Sequence, residues 1–401
     1  MSYLDGWNKN VLQKRKQKIV NYLSEKELDA LVLLDELNIV YATGYFLDIA
    51  TWERPAAAVI PVDAEPFMVL CELSINHSKY VREKGRGLVE DIRFYQEHPR
   101  QTNRLPIREE WTKILCDGLK EKNVRRGLGV DRLSGKFEQD VKAHLPEIKF
   151  VRSEEFIRDM RLVKCEEELD LIRKAGMLSD WGQEKYREAI KVDKMWLEIG
   201  AEVGYALSVE TAKKYPEYHI EARAGGTGWG DIAASPHGVG GYFGAKIKKG
   251  DTIVNGISVR LNKYGVENER TFIVGSPTEK QRKIFEVMKE AQIKAVEMCV
   301  EGNRLSDIDA TAQAVIERAG YGEYIMHRTG HGIGLGGHEY PDDMAYNHRL
   351  LKAGMVLSVE PGIYIYGYGG FRHSDTIIVG KNKPEVTTKF TKELDELTIP
   401  A

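Results

Sequence analysis

Apolar residues recur at helical spacing from about Asn8 to Lys26 and then crowd into the short run Ala30 to Leu34, which has the length and content of a buried strand. Thr43 and Gly44 interrupt the pattern. Ala56 to Ile60 is a second strand run, closed by Pro61, and helix and strand patterns alternate as far as about Val151. This predicts a first α/β unit. The charged stretch Lys164 to Lys191, with Leu169, Leu171, Ile172 and Met177 as its apolar positions, reads as a helix that follows a domain junction near Met160. Two domains are therefore expected, residues 1–160 and 161–401. In the second, a Gly-rich passage from Gly225 to Gly241 precedes a strand over Thr252 to Ser258 and another around Thr271 to Val274. Helices are predicted from about Glu279 to Val300 and from Ser306, where Ser306 and Asp309 fit a capping box. Met355 to Glu360 and Asp375 to Val379 read as strands on either side of an aromatic, Gly-rich loop, Tyr364 to Phe371. The fold class is α/β (α+β).

Composition narrows what such a chain can do. With 401 residues, both domains are large enough to bury a core. A net charge of −3 and the lack of a strongly basic half exclude a general nucleic-acid binder, which needs clustered Lys and Arg; the basic run Lys14 to Lys18 reads as a solvated helix face. No apolar run approaches a membrane span, and polar residues rather than an apolar core follow Met1, so a cytoplasmic protein is expected. Cys71, Cys116, Cys165 and Cys299 are too dispersed for a zinc or redox pair and read as ordinary thiols.

Four clusters set titratable groups beside Gly or Pro or at strand ends, where side chains are held on a rigid frame: Ser235-Pro236-His237, Glu267 to Thr271, Thr329 to Gly334 with His338-Glu339, and Val359-Glu360-Pro361-Gly362. Glu360, ending an apolar strand, needs a cationic partner, because an unpaired buried carboxylate costs several kcal/mol.

Taken in order, Pro236-His237, Lys249-Gly250-Asp251, Glu269-Arg270-Thr271, the Gly330-His331 motif with His338-Glu339, and Glu360-Pro361-Gly362 resemble the creatinase, prolidase and aminopeptidase P superfamily. The resemblance covers nearly the whole chain and implies a creatinase-type N-terminal domain followed by a pita-bread domain. In the metallopeptidase branch an Asp, a second Asp, a His and two Glu hold two divalent metals. Those positions fall here at Gly256, Glu267, His331, Glu360 and Ser374. Two anionic ligands are missing, and a hard-ion carboxylate site loses much of its affinity with them.

In the metal-free creatinase branch the substrate guanidinium sits between two glutamates, matching Glu269 and Glu360, and His237 matches the proton-shuttling histidine. That resemblance implies a metal-independent hydrolase without cofactor, cleaving an amidine or amide C–N bond of a small cationic molecule such as creatine. His237, Glu269 and Glu360 would be catalytic, and His331, His338, Glu267, Arg372, Trp52 and Arg54 would bind substrate, the last two reaching from the partner in a homodimer. One departure stands out, because creatinase carries a second carboxylate-binding Arg where this chain has Asp342. The alternative is an Xaa-Pro dipeptidase or aminopeptidase with one divalent metal, Mn or Co, on Glu267, His331 and Glu360. A third reading, from another class, is an inactive binding protein on the same fold.

Overall fold

The structure, a computed structural model, describes residues 7–97, 105–226 and 245–401. The chain divides into two compact units that meet in sequence between Arg161 and Leu162. Both mix helices with sheets, as expected for the α/β class. Among the described residues no helix is long and apolar enough to cross a membrane.

The first unit is built on a six-stranded mixed sheet of β1 (Ala30–Leu33), β2 (Ala57–Pro61), β3 (Phe67–Cys71), β4 (Asp91–Tyr95), β5 (Gly127–Val130) and β6 (Lys149–Arg152). Their spatial order is β4-β3-β2-β1-β5-β6. The four inner strands are buried at every position, which is why β1, β2 and β3 read as unbroken apolar runs rather than alternating ones. Helix Lys9–Glu25 is capped by Asn8, whose side chain accepts from the Val11 amide. The residues after β1 form a helix, Glu36–Thr43, that the sequence pattern did not reveal. Asp35 caps its start, and Gly44 at φ 72° ends it.

In the second unit, β7 (Ile220–Gly226), β8 (Thr252–Leu261), β9 (Tyr264–Val274) and β16 (Thr398–Ile399) form one sheet in the order β16-β9-β8-β7. The β8–β9 hairpin turns on Asn262 and Lys263, both at positive φ, as a tight two-residue turn requires. Helix Glu166–Ala189 covers one face of this hairpin. Its start is fixed by Glu168, which accepts from the Cys165 amide at 2.7 Å, with three acidic residues in the first turn. Gln183 on its buried side donates to the Asn268 carbonyl at 2.7 Å and accepts from the Asn255 amide group at 3.0 Å. Asn268 in turn donates to Asp180 at 2.8 Å. Since strand residues alternate, anchoring Asn268 against the helix turns Glu267 and Glu269 to the opposite face.

The second sheet runs β10 (Gly330–Gly332), β11 (Val356–Val359), β14 (Asp375–Ile378) and β15 (Glu385–Val386). Between β11 and β14 the expected loop is a β-hairpin, β12 (Gly362–Ile365) with β13 (Gly369–Arg372). Arg270 is fully buried and ties the two sheets together. Its guanidinium donates to Asp375 at 2.9 Å, to the Glu269 and Ser374 carbonyls at 2.7 and 3.0 Å, and to the Phe390 and Thr391 carbonyls. The expected capping box at Ser306 does not form. The helix starts at Leu305, and Asp309 instead accepts from the Thr329 amide at 2.6 Å, because that buried donor would otherwise be unpaired.

Candidate metal centre and substrate pocket

The register of the β8–β9 hairpin sets Gly256 opposite Glu269 and Ser258 opposite Glu267, so these four positions share the face turned away from the covering helix. His331 on β10 enters from the second sheet. The Gly332 carbonyl lies 2.9 Å from its Nδ1, and since a carbonyl only accepts, Nδ1 carries the proton. Its Nε2 is thereby aimed at Glu267 Oε2, 3.3 Å away, and at Glu360 Oε1, 3.5 Å away. Glu360 is positioned just beyond β11, where its amide donates to the Thr329 carbonyl at 2.6 Å. The ring of His338 lies on that of His331, with centroids 3.6 Å apart and planes within 16°. Together with Glu267, Asn268, Glu269, His338, Glu360 and Arg372, the short residues Gly256 and Ser258 line a cavity of about 360 Å³.

Burial alone would lower the His331 pKa, but the negative charges of Glu267 and Glu360 beside it prevail and raise it to about 10. Glu360 is held down to about 2, because His331 and Arg372 outweigh its burial. Glu269 moves the other way. Its burial and the nearby Glu360 and Glu267 push it up to about 8 against the pull of Arg372. Arg372 grips Glu269 through Nε at 2.5 Å and Nη2 at 2.8 Å, and its Nη1 donates to the Tyr364 hydroxyl at 2.9 Å. That hydroxyl is 2.8 Å from Nε2 of His327, whose Nδ1 faces the Arg328 carbonyl at 2.7 Å. Tyr364 and His327 were not foreseen as parts of the site. The only sequence signal was the aromatic run from Tyr364, read as a loop.

Donor atoms of Glu267, His331 and His338 lie within 4.8 Å of one another, a group able to hold a metal ion. Among the described residues the buried Nε2 of His331 has no hydrogen-bond partner, as expected of a nitrogen facing a ligand position. Its Nδ1–carbonyl bond fixes the tautomer that leaves Nε2 free to coordinate. Glu360 also faces the Nε2 of His331, at 3.5 Å. The group whose donor atoms converge is thus Glu267, His331 and His338, with Glu360 alongside. A second ion does not fit. Gly256 offers no ligand, and Ser374 is buried with its hydroxyl 2.9 Å from that of Ser358. Glu269, which exchanges backbone hydrogen bonds with Ser374, is already held by Arg372.

Of the remaining expected residues, His237 lies outside the described residues. Trp52 and Arg54 belong to the first unit. Trp52 is 87% exposed, and Arg54 is paired with Glu97 at 2.7 Å and Glu53 at 2.6 Å. His373 faces the interior. It accepts from the Thr271 amide at 3.4 Å and meets Phe285 edge-on, with ring centroids 5.1 Å apart.

The family model described as the creatinase/prolidase N-terminal domain matches residues 15–163, and that of metallopeptidase family M24 matches residues 170–381. The chain is 30% identical over 386 residues to the Xaa-Pro dipeptidase of Pyrococcus furiosus, covering 96% of this chain and 100% of that one. It is also 30% identical over 390 residues to the Xaa-Pro dipeptidase of Pyrococcus horikoshii, covering 96% and 99%. The crystal structure of the prolidase from Pyrococcus horikoshii OT3 superposes with a TM-score of 0.76 at 29% identity, covering 95% of this chain and 99% of that one.

These findings correct two expectations. Metal-independent, creatinase-like hydrolysis is not supported, since the similarity along the whole chain runs to Xaa-Pro dipeptidases. Nor is a site without cofactor, given the Glu267, His331 and His338 group and relatives of a metallopeptidase family. The misreading has a physical source. Glu269 and Glu360 looked like a vacant clamp for a substrate guanidinium, but the guanidinium gripped by Glu269 is the protein's own Arg372.

Proposed function

Because the chain belongs to metallopeptidase family M24 and carries that family's creatinase/prolidase N-terminal domain, we propose that it is a peptidase of the Xaa-Pro dipeptidase type working with a single divalent cation. The observation that carries this reading is the orphaned Nε2 of His331, aimed at two carboxylates. Glu267 and His331 would hold the ion, manganese or cobalt, with His338 and Glu360 beside it. When bound, it would supply Lewis-acid polarisation of the scissile carbonyl and a water acidic enough to ionise near neutrality.

The chain's own residues divide the rest of the work. Glu360, ionised across the working pH range, would accept a proton from the attacking water and pass it to the departing prolyl nitrogen. His338 has its pKa lowered, by burial and then by His331, so it would face the peptide as a neutral imidazole able to donate to the carbonyl oxygen. Arg372, braced by Tyr364, would keep Glu269 from competing for the ion. A homodimer in which Trp52 and Arg54 of one chain approach the pocket of the other is part of this proposal, and the exposure of Trp52 supports it.

The test is elemental analysis of the purified protein together with proline release from Xaa-Pro dipeptides. About one ion per chain is expected, with activity lost on chelation and regained with manganese or cobalt. Activity that survives complete chelation would refute it.

A further inference from the structure

A dipeptidase that selects free dipeptides can do so by holding their carboxylate, and the pocket offers few cations for that task. Arg372 is spent on Glu269 and Tyr364. Arg260 donates to the Lys263 and Leu335 carbonyls. The other cation among the lining residues is Arg223, exposed on β7. Among the described residues no carboxylate pairs with it.

Strand register gives Arg223 its direction. Arg223 is opposite Ser258, and Ser258 is opposite Glu267, so the three side chains form a row on the pocket face of the sheet. Two strand spacings, about 10 Å, separate the Arg223 and Glu267 backbones. Among the described residues only the short side chain of Ser258 stands between them in this row, beside the parallel row Gly225, Gly256 and Glu269. That gap would take a prolyl residue with its scissile bond toward Glu267 and its carboxylate toward the guanidinium. The cavity volume is in the range of small-ligand sites.

Building on the peptidase reading, we infer that Arg223 is the specificity residue that anchors the C-terminal carboxylate of the substrate, making this site selective for free dipeptides over longer or amidated peptides. Arg, with its planar fork of donors, suits a carboxylate in a two-pronged grip.

The test is calorimetric binding, on the protein as purified, of the reduced-bond analogue Ala-ψ[CH2–N]-Pro, which cannot be hydrolysed, and of its C-terminal amide. Wild type should bind the acid on the order of 10- to 100-fold more tightly than the amide. Arg223→Gln should bring the two within about twofold, and Arg223→Lys should retain part of the preference, since it keeps the charge without the fork. Equal affinity for acid and amide in wild type, no binding of either, or a preference that survives in Arg223→Gln would overturn the assignment. Failure of the peptidase reading is distinguishable, because the acid would then bind selectively while no dipeptide released proline with any cation.

Discussion

Substituting Gly330 with Ala tests whether the spacing of β10 and β11 sets the cation site. A Cβ at Gly330 would stand 1.9 Å from the Ser358 carbonyl oxygen and 3.1 Å from the Met344 methyl. Real Cβ contacts stay beyond 3.0 Å, so the strands must part by more than an ångström. The methionine end can move; the backbone carbonyl cannot without its strand. Overpacking of this kind costs about 1–3 kcal/mol. The next residue is His331, whose Nε2 now lies 3.3 Å from Glu267 and 3.5 Å from Glu360, while metal ligands tolerate displacements of only about 0.2 Å. Cation affinity should fall by about 100-fold or more, since even outer-shell changes cost 10- to 100-fold. At a manganese concentration that gives wild type about 2.7 kcal/mol of added stability, the variant should gain about 0.4 kcal/mol or less. Urea denaturation with and without manganese measures both effects, with Gly135→Ala, where a Cβ meets nothing within 4 Å, as the control. A Gly330→Ala protein equal to wild type in stability and in manganese response would refute this account of the site.

Two further perturbations probe the frame around the site. Burial, reinforced by Arg270 and Lys392, holds the pKa of His373 well below its ordinary value, so the unfolded chain takes up a proton below about 6.5 that the folded chain does not. The stability from this neutral imidazole is complete above that pH and falls by about 1.4 kcal/mol per unit on acidification through the window 6.5 to 5.5. His373→Phe should lack that slope in pH-resolved urea melts, and an unchanged slope would count against it. Arg270→Met strips Asp375 of its fully buried partner at 2.9 Å and leaves the Phe390 and Thr391 carbonyls without its guanidinium, so a loss of about 3–5 kcal/mol is expected in chemical denaturation. A loss under about 1 kcal/mol would show that Lys392 and Thr388, which also contact Asp375, suffice.

Much of the fold is legible in residue pattern because local rules and tertiary packing agree there. The helix at Lys9–Glu25 and the strands Ala30–Leu33 and Ala57–Pro61 follow from apolar spacing and punctuation by Pro and Gly. Where the two disagree, the sequence misleads. Ser306 and Asp309 spell a helix start, but the demand of the Thr329 amide takes Asp309 away. Tyr364 to Phe371 looks like a loop by its glycines, yet Ile363 and Phe371 pair across a hairpin whose role is to carry Arg372 and Tyr364 into the site. The same limit applies to the chemistry. The family resemblance singles out Glu267, His331 and Glu360, and it exposes the gaps at Gly256 and Ser374. It does not show that Arg372, more than 100 residues beyond Glu269 in the chain, has neutralised that carboxylate, since only the folded sheets bring them together.

The short strand β16 has a consequence for biosynthesis. Thr398 and Ile399 pair in parallel with Ile273 and Val274, and the nearby Phe390 and Thr391 carbonyls receive the guanidinium of Arg270. The strand carrying Glu267 and Glu269 therefore has an unfilled edge and an unsatisfied buried cation until residues 390–399 have left the ribosome. The six-stranded sheet of the first unit, complete by Arg152, can close while translation continues. A nascent chain stalled before Phe390 would hold a finished first unit and a pocket wall open to mispairing, which makes the arrival of residues 390–399 the step that commits the site to its final form.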